Sequence, residues 1–273
     1  MYNEILISLI FGHILTDFIL QSNKQVEDKK NLKVQLKHSL WHAIISCINL
    51  WTIRPFYFPI LIFSSHLVID NLKTLVLGEK DNIEKKIKHF SLIVFLADQL
   101  LHIIVILILS NALANSHFAS AYWYFKYGEA LYIFLLLLIG LILTTVVTSH
   151  VIPFILEPFK KRIKPFGEER EKENSEDRGL FYGGRIIGIL ERGLIFLFLL
   201  INQPSSIGFL ITAKTIFRFG EIREAKNRYE VEYIIIGTLT SFFIATILSL
   251  LTFLFVSSYS QVFNIPIVQN FFP

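Results

Sequence analysis

Eight apolar runs, near residues 3–21, 38–53, 56–77, 90–113, 129–152, 186–202, 207–219 and 231–256, are separated by polar connections. About 20 apolar residues cross the hydrocarbon core of a bilayer, and a backbone inside it must satisfy its own amide groups. Runs of this length therefore fold as helices, and the expected class is all-α: a polytopic integral membrane helical bundle. About eight of its helices are transmembrane or re-entrant. Composition agrees, since 53% of residues are hydrophobic, 26 are Phe, and only 18% are charged, against about 25% in a soluble domain. The sixth and seventh runs are short and separated by Pro204, so they form either two crossings or one re-entrant hairpin. The first run contains His13 and Asp17, and Lys and Arg are absent before Lys24. It reads as a retained helix, not a cleaved signal peptide.

Loop charge orients the bundle. The connection 22–37 holds Lys24, Lys29, Lys30, Lys33 and Lys37, the next only Arg54, the third Lys80, Lys85, Lys86 and Lys88, and the fourth only Lys126. The fifth carries eight Lys or Arg around "KKRIKPFGEEREKENSEDRG", the "QPSS" turn none, residues 220–230 three, and the C-terminal tail none. The positive-inside rule puts the odd-numbered connections in the cytoplasm and both termini outside. The expected organisation is a four-helix His/Asp membrane core over 1–113, a fifth membrane helix over 114–152 and a charged cytoplasmic loop over 153–185. C-terminal membrane helices over 186–256 and an extracytoplasmic tail over 257–273 complete it. On a scaffold reading, the charged loop is expected to bind a cytoplasmic partner. A net charge of +4 does not imply nucleic acid, because orientation in a bilayer accounts for these cations. Cys47 is the single cysteine, which excludes an intrachain disulfide and a thiolate metal cluster.

A second pattern lies inside the runs. "HILTD" sets His13 and Asp17 four residues apart, "HSLWH" His38 and His42, "HLVID" His66 and Asp70, and "DQLLH" Asp98 and His102. Residues four apart share a helix face, so four consecutive helices each present one pair. Counted from the cytoplasmic end of each run, His13, Asp17, His42, Asp70 and Asp98 lie roughly 5–12 Å inside, His66 and His102 deeper, and His38 at the surface. Short connections make these helices neighbours, so the pairs converge on one cavity in the cytoplasmic half.

Ionisable groups inside a membrane are costly and face an interior or a wet cavity. Three carboxylates beside one fixed cation, Lys73, leave negative charge that a divalent metal would cancel. Imidazole and carboxylate without sulfur suit Zn, Mn or Fe, with Zn or Mn expected, as one ion with supporting partners or as two ions. His66 and His102 are the weakest ligands on depth. One such pair alone is usually satisfied by an interhelical hydrogen bond, but four matched pairs favour a functional site. His89 and His117 read as solvated loop residues, and His150 as a weak candidate for the cavity wall.

The segments "GHILTDFILQSNKQVEDK", "HSLWH", "HLVIDNLK" and "ADQLLH", over residues 10 to about 105, resemble the domain-of-unknown-function 3307 family of prokaryotic membrane proteins. Its recurring features are an H-x3-D-F-x2-Q opening, an H-x3-H pair, an H-x3-D-x2-K stripe and a D-Q-x2-H segment. The resemblance groups Gln21 and Lys73 with the four pairs, and these two are the candidates for catalytic roles. It implies no reaction.

The second half holds Arg185, Glu191, Arg192, Lys214 and Arg218. These form either structural ion pairs or a site for an anionic headgroup. "GGRIIG" is not a nucleotide loop, because no strand precedes it and the P-loop lysine is missing. Two functional classes follow. One is a metal-dependent hydrolase or transferase acting from the cytoplasmic leaflet on membrane lipid or another amphiphilic or phosphorylated substrate, with Lys73 or Lys214 steadying developing negative charge. The other is a transporter or sensor for a divalent cation or proton, and a scaffold without catalysis is a third reading. The outer halves of the runs offer few polar groups, which favours a one-sided pocket over a conduction path.

Overall fold

The structure is a computed structural model that describes residues 1–22, 25, 28, 31–51, 55–78, 89–116, 122–167, 183–224 and 228–262. Its described elements are helical throughout, with no strand among them. Five helices are long and apolar enough to cross a membrane: Tyr2–Leu20, Tyr57–Gly78, Phe90–Ala114, Glu129–Phe159 and Val231–Ser260. The chain divides into two compact units, Met1–Ile139 and Gly140–Pro273.

In the first unit, α1 (Tyr2–Leu15) runs straight into a π-helical turn, Thr16–Leu20, that carries Asp17. Such turns recur at functional sites because they re-aim the side chains they hold. Helix α2 covers Leu32–Leu50, α3 Tyr57–Gly78 and α4 Phe90–Ala114. Each packs against the next, and α1 also packs against α4, so the four close into a ring. The antiparallel order brings together the end of α1, the start of α2, the end of α3 and the start of α4. The opposite end is filled by Ile5, Leu9, Ala43, Leu50, Phe58, Ile62, Leu109 and Leu113. Outward-facing positions are apolar, as at Val68 (65% exposed) and Leu75 (69%), while His66 and Asp70 of the same helix are buried. This inversion of the soluble pattern suits a bundle whose solvent is lipid.

Helix α2 begins at Leu32, not at 38, because Asn31 caps it: the Asn31 side chain accepts from the Lys33 amide at 3.0 Å. His38 is therefore inside the helix. At the apolar end, α2 stops at Trp51, whose φ is 51°. There α5 (Tyr122–Tyr127) lies against it, with the Trp123 indole donating to the Ile48 carbonyl at 3.1 Å. Gly128, at φ 63°, supplies the left-handed turn into α6 (Glu129–Ile142).

The boundary between the units falls within α6. The second unit continues through a π-helical turn, Leu143–Val147, into α7 (Thr148–Gly167), followed by α8 (Gly183–Leu200), α9 (Ser205–Glu224) and α10 (Arg228–Val262). The expected loop from 153 is thus helical as far as Gly167, and residues 168–182 lie outside the described residues. The pair α8 and α9 forms two separate helices of 18 and 20 residues joined by a tight turn at Asn202. Ile195, Phe242 and Ala245 are the core of this unit, with Leu199, Ile207 and Leu210 packed on it. Of the basic connections, residues 79–88 also lie outside the described residues, as does the tail from 263.

Candidate metal centre

The four pairs meet in one buried layer of the first unit. Asp17 Oδ1 lies 2.9 Å from His42 Nε2, 3.0 Å from His38 Nε2 and 3.7 Å from His66 Nε2, and its Oδ2 is 3.7 Å from His13 Nε2. His38 and His42 bring their Nε2 atoms to 3.3 Å of each other. Asp70 faces both ways: its Oδ2 is 3.8 Å from His38 and 3.9 Å from His66, while its Oδ1 is 3.9 Å from His102. Asp98 Oδ1 is 3.6 Å from His102, and its Oδ2 accepts from Lys73 Nζ at 2.6 Å and from Gln99 Nε2 at 3.1 Å. The His42 and His66 rings stack at 3.5 Å, and His66 stacks on His102 at 4.2 Å.

Three sets of potential ligand atoms lie within 4.8 Å of one another: Asp17, His38, His42 and His66; His13, His66 and His102; Asp70, Asp98 and His102. A tetrahedral ion with bonds of about 2.0 Å holds its ligand atoms about 3.3 Å apart. The separations around Asp17 straddle that value. The Nε2 atoms of His13, His66 and His102, and Asp98 Oδ1, are buried without a hydrogen-bond partner among the described residues. Each orphaned buried acceptor or donor costs about 1–3 kcal/mol, which coordination to a cation would recover. The donor set, nitrogen and oxygen without sulfur, fits a divalent first-row ion.

His38 is buried at 7% exposure, within a helix that the Asn31 cap starts before the apolar run. His66 and His102, expected to lie too deep, contribute to all three ligand sets between them. The layer is one helical turn thick, so both members of an i,i+4 pair reach it.

Gln21 terminates the π-helical turn in an extended conformation, with its side-chain nitrogen unpartnered among the described residues, and joins none of the ligand sets. Lys73 reaches Asp98 and is committed to it. Sequence reasoning missed the supports around the ligands. Gln35 Nε2 donates to Thr74 Oγ1 at 3.3 Å, tying α2 to α3, and Thr74 Oγ1 donates to the Asp70 carbonyl at 2.8 Å. Gln35 precedes His38 by three and Thr74 follows Asp70 by four, so extending each polar stripe by one turn would have found both. Thr16 Oγ1 donates to the Gly12 carbonyl at 2.8 Å at the start of the π-helical turn.

Two cavities touch the layer. One, of about 180 Å³, is lined by Thr16, Leu20, Gln25, His38 and Trp41. The other, of about 30 Å³, lies among His13, His42, His66 and His102 and is lined also by Ser46, Ser65 and apolar side chains that include Leu9 and Leu109. The smaller holds little more than a water molecule.

The second unit has a polar cluster of a different kind. Arg192, 3% exposed, donates from Nη2 to the Thr145 carbonyl at 2.9 Å, from Nε to the same oxygen at 3.3 Å and from Nη1 to Ser241 Oγ at 3.1 Å, and Nη2 also reaches Ser149 Oγ. The π-helical turn holds Thr145, whose carbonyl faces α8. Gly188 leaves the room Arg192 needs, since a Cβ there would lie 2.9 Å from Nη1. Glu191 pairs with Lys214, and Arg185 lies 3.2 Å from His150 Nε2. The Arg218 side chain lies outside the described residues, as does His117. His89, expected to be solvated, stands at the start of α4 with φ 58° and a buried Nδ1.

No curated protein and no solved structure matches this chain. Residues 5–131, which contain every member of the His/Asp layer, match the family described as "Protein of unknown function (DUF3307)". Over that segment, with its four paired motifs on four ringed helices, the chain is similar to the DUF3307 family.

Proposed function

We propose that the first unit is a membrane-embedded divalent-metal centre, entered from the cytoplasmic side, that serves hydrolysis or group transfer on an amphiphilic or phosphorylated substrate. The observation that carries the metal is the convergence of three buried imidazole nitrogens without a hydrogen-bond partner among the described residues, those of His13, His66 and His102, beside an Asp17 already ringed by His38 and His42. A divalent cation bound there supplies Lewis-acid activation of water and of a phosphoryl oxygen. The protein's own residues hold and orient. Asp17, His38, His42, His66, Asp70, Asp98, His102 and His13 are the ligand pool, Lys73 fixes the Asp98 carboxylate, and Gln21, near the larger cavity's Leu20, is placed to meet substrate. Zn or Mn is the expected ion, and the inner membrane of a prokaryotic cell the expected location.

One-sided access supports an enzyme over a conduit. The larger cavity borders His38, whereas the apolar core of the ring, Ile5, Leu50, Phe58 and Leu113, lies in the opposite half. Elemental analysis of the purified protein tests the centre: stoichiometric metal is expected. Stripping with a chelator should lower the unfolding midpoint, because a ligand at 100 times its Kd adds about 2.7 kcal/mol of stability. Absence of metal together with indifference of the midpoint to added Zn, Mn and chelator refutes the reading. Uptake of metal into proteoliposomes without turnover of any lipid phosphate moves the same site to the transporter class.

A further inference from the structure

The ligand pool is larger than one ion needs. A tetrahedral ion uses four protein ligands at most, and one seated on Asp17, His38, His42 and His66 would leave His13 Nε2, His102 Nε2 and Asp98 Oδ1 buried and unpartnered. Hydrogen bonding among these atoms does not relieve them, since His102 and Asp98 stand 3.6 Å apart. The two carboxylates between the sets are turned so that each oxygen faces a different group of imidazoles. Asp70 presents Oδ2 to His38 and His66 and Oδ1 to His102, and Asp17 presents Oδ1 to His38 and His42 and Oδ2 to His13. Carboxylates shared in this manner are what hold two cations about 3.5–4 Å apart in two-metal sites.

We propose that the centre is dinuclear, with one divalent cation on the Asp17, His38 and His42 side, a second on the Asp98 and His102 side, and Asp17 and Asp70 spanning the two. The proposal rests on the metal reading above and adds the number of ions and the charge of the ligand they attract. Three carboxylates and Lys73 sum to two negative charges, which one divalent ion neutralises. Two ions leave two positive charges in a buried layer, an arrangement that binds an anion such as a phosphate group, and the cavity beside His38 has the volume for one.

The test is metal stoichiometry of the purified full chain loaded with Mn²⁺ alone, combined with electron paramagnetic resonance. Two equivalents with an exchange-coupled spectrum are expected, because ions sharing a carboxylate are coupled. His102→Gln should then bind one equivalent with an uncoupled spectrum. One equivalent in the wild type overturns the dinuclear proposal and leaves the metal centre standing. None overturns both. Two equivalents without coupling overturn the shared carboxylates, and a His102→Gln chain that fails to fold leaves the wild-type count and spectrum to decide. Inorganic phosphate should perturb the coupled spectrum, and a spectrum unchanged at millimolar phosphate overturns the anion site.

Discussion

Asp17 and Arg192 are both ionisable groups embedded in helices beside a π-helical turn, yet their surroundings are built on opposite principles. Around Arg192 every guanidinium nitrogen donates: the Thr145 carbonyl, Ser149 and Ser241 accept, and the cluster is satisfied from within the fold. Around Asp17 most of the neighbouring groups are themselves potential ligands, and three imidazole nitrogens in the same layer have no hydrogen-bond partner among the described residues. A buried polar group in lipid either has its partners supplied by the fold or waits for one from outside. The first arrangement holds helices together, and the second has the form of a binding site. The difference also separates two residues that look alike in the sequence, Lys73 and Lys214, because Lys73 pairs with Asp98 of the potential ligand pool and Lys214 pairs with Glu191 outside it.

The contrast breaks if Asp17 is merely structural. Asp17→Asn keeps the shape and removes the charge, and the metal Kd should rise on the order of 100-fold or more, one ligand's share of the roughly 10–16 kcal/mol with which a four-ligand zinc site binds. Competition against a chromogenic chelator measures it, with circular dichroism checking that the helices persist. An unchanged Kd would make Asp17 a packing residue like Arg192.

In the second unit the effects should fall on stability, not on metal. Lys214→Met or Glu191→Leu alone strands a charge at about one-tenth exposure and should cost about 3 kcal/mol, whereas the double variant should be near neutral, because an apolar pair replaces an ion pair without loss. Unfolding in detergent reads all three. Single variants as stable as wild type would show that Lys214 serves an outside anion after all. Arg192→Met is the gentlest of the set. It removes charge-assisted hydrogen bonds but also the expense of burying a cation, so the loss should be about 2 kcal/mol with metal content unchanged. Metal lost along with Arg192 would mean that the two clusters do not act separately.

Much of this was legible in the chain because period and hydropathy are local properties. The helical class follows from runs that satisfy their own backbone, and the i,i+4 spacing of His13 with Asp17 through Asp98 with His102 puts each pair on one face whatever the tertiary arrangement. The layer could be anticipated from short connections between neighbouring helices. The start of α2 could not be read from apolar run length, since a polar cap at Asn31 outweighs Lys33 and Lys37 in the first turns and carries His38 inward. Nor could the π-helical turns at Thr16–Leu20 and Leu143–Val147, which insert no marker residue and depend on what each helix packs against. Which charges pair was decided only in three dimensions. Glu191 had three candidate cations within a turn or on a neighbouring helix, and the packing of α8 against α9 selected Lys214, while Arg192 was taken by hydroxyls and a carbonyl that no spacing rule connects to it. Sequence alone determined which side chains share a helix face, because that is set by backbone geometry. Tertiary structure decided which atoms are left without partners, because hydrogen-bond satisfaction is a property of the whole packed layer.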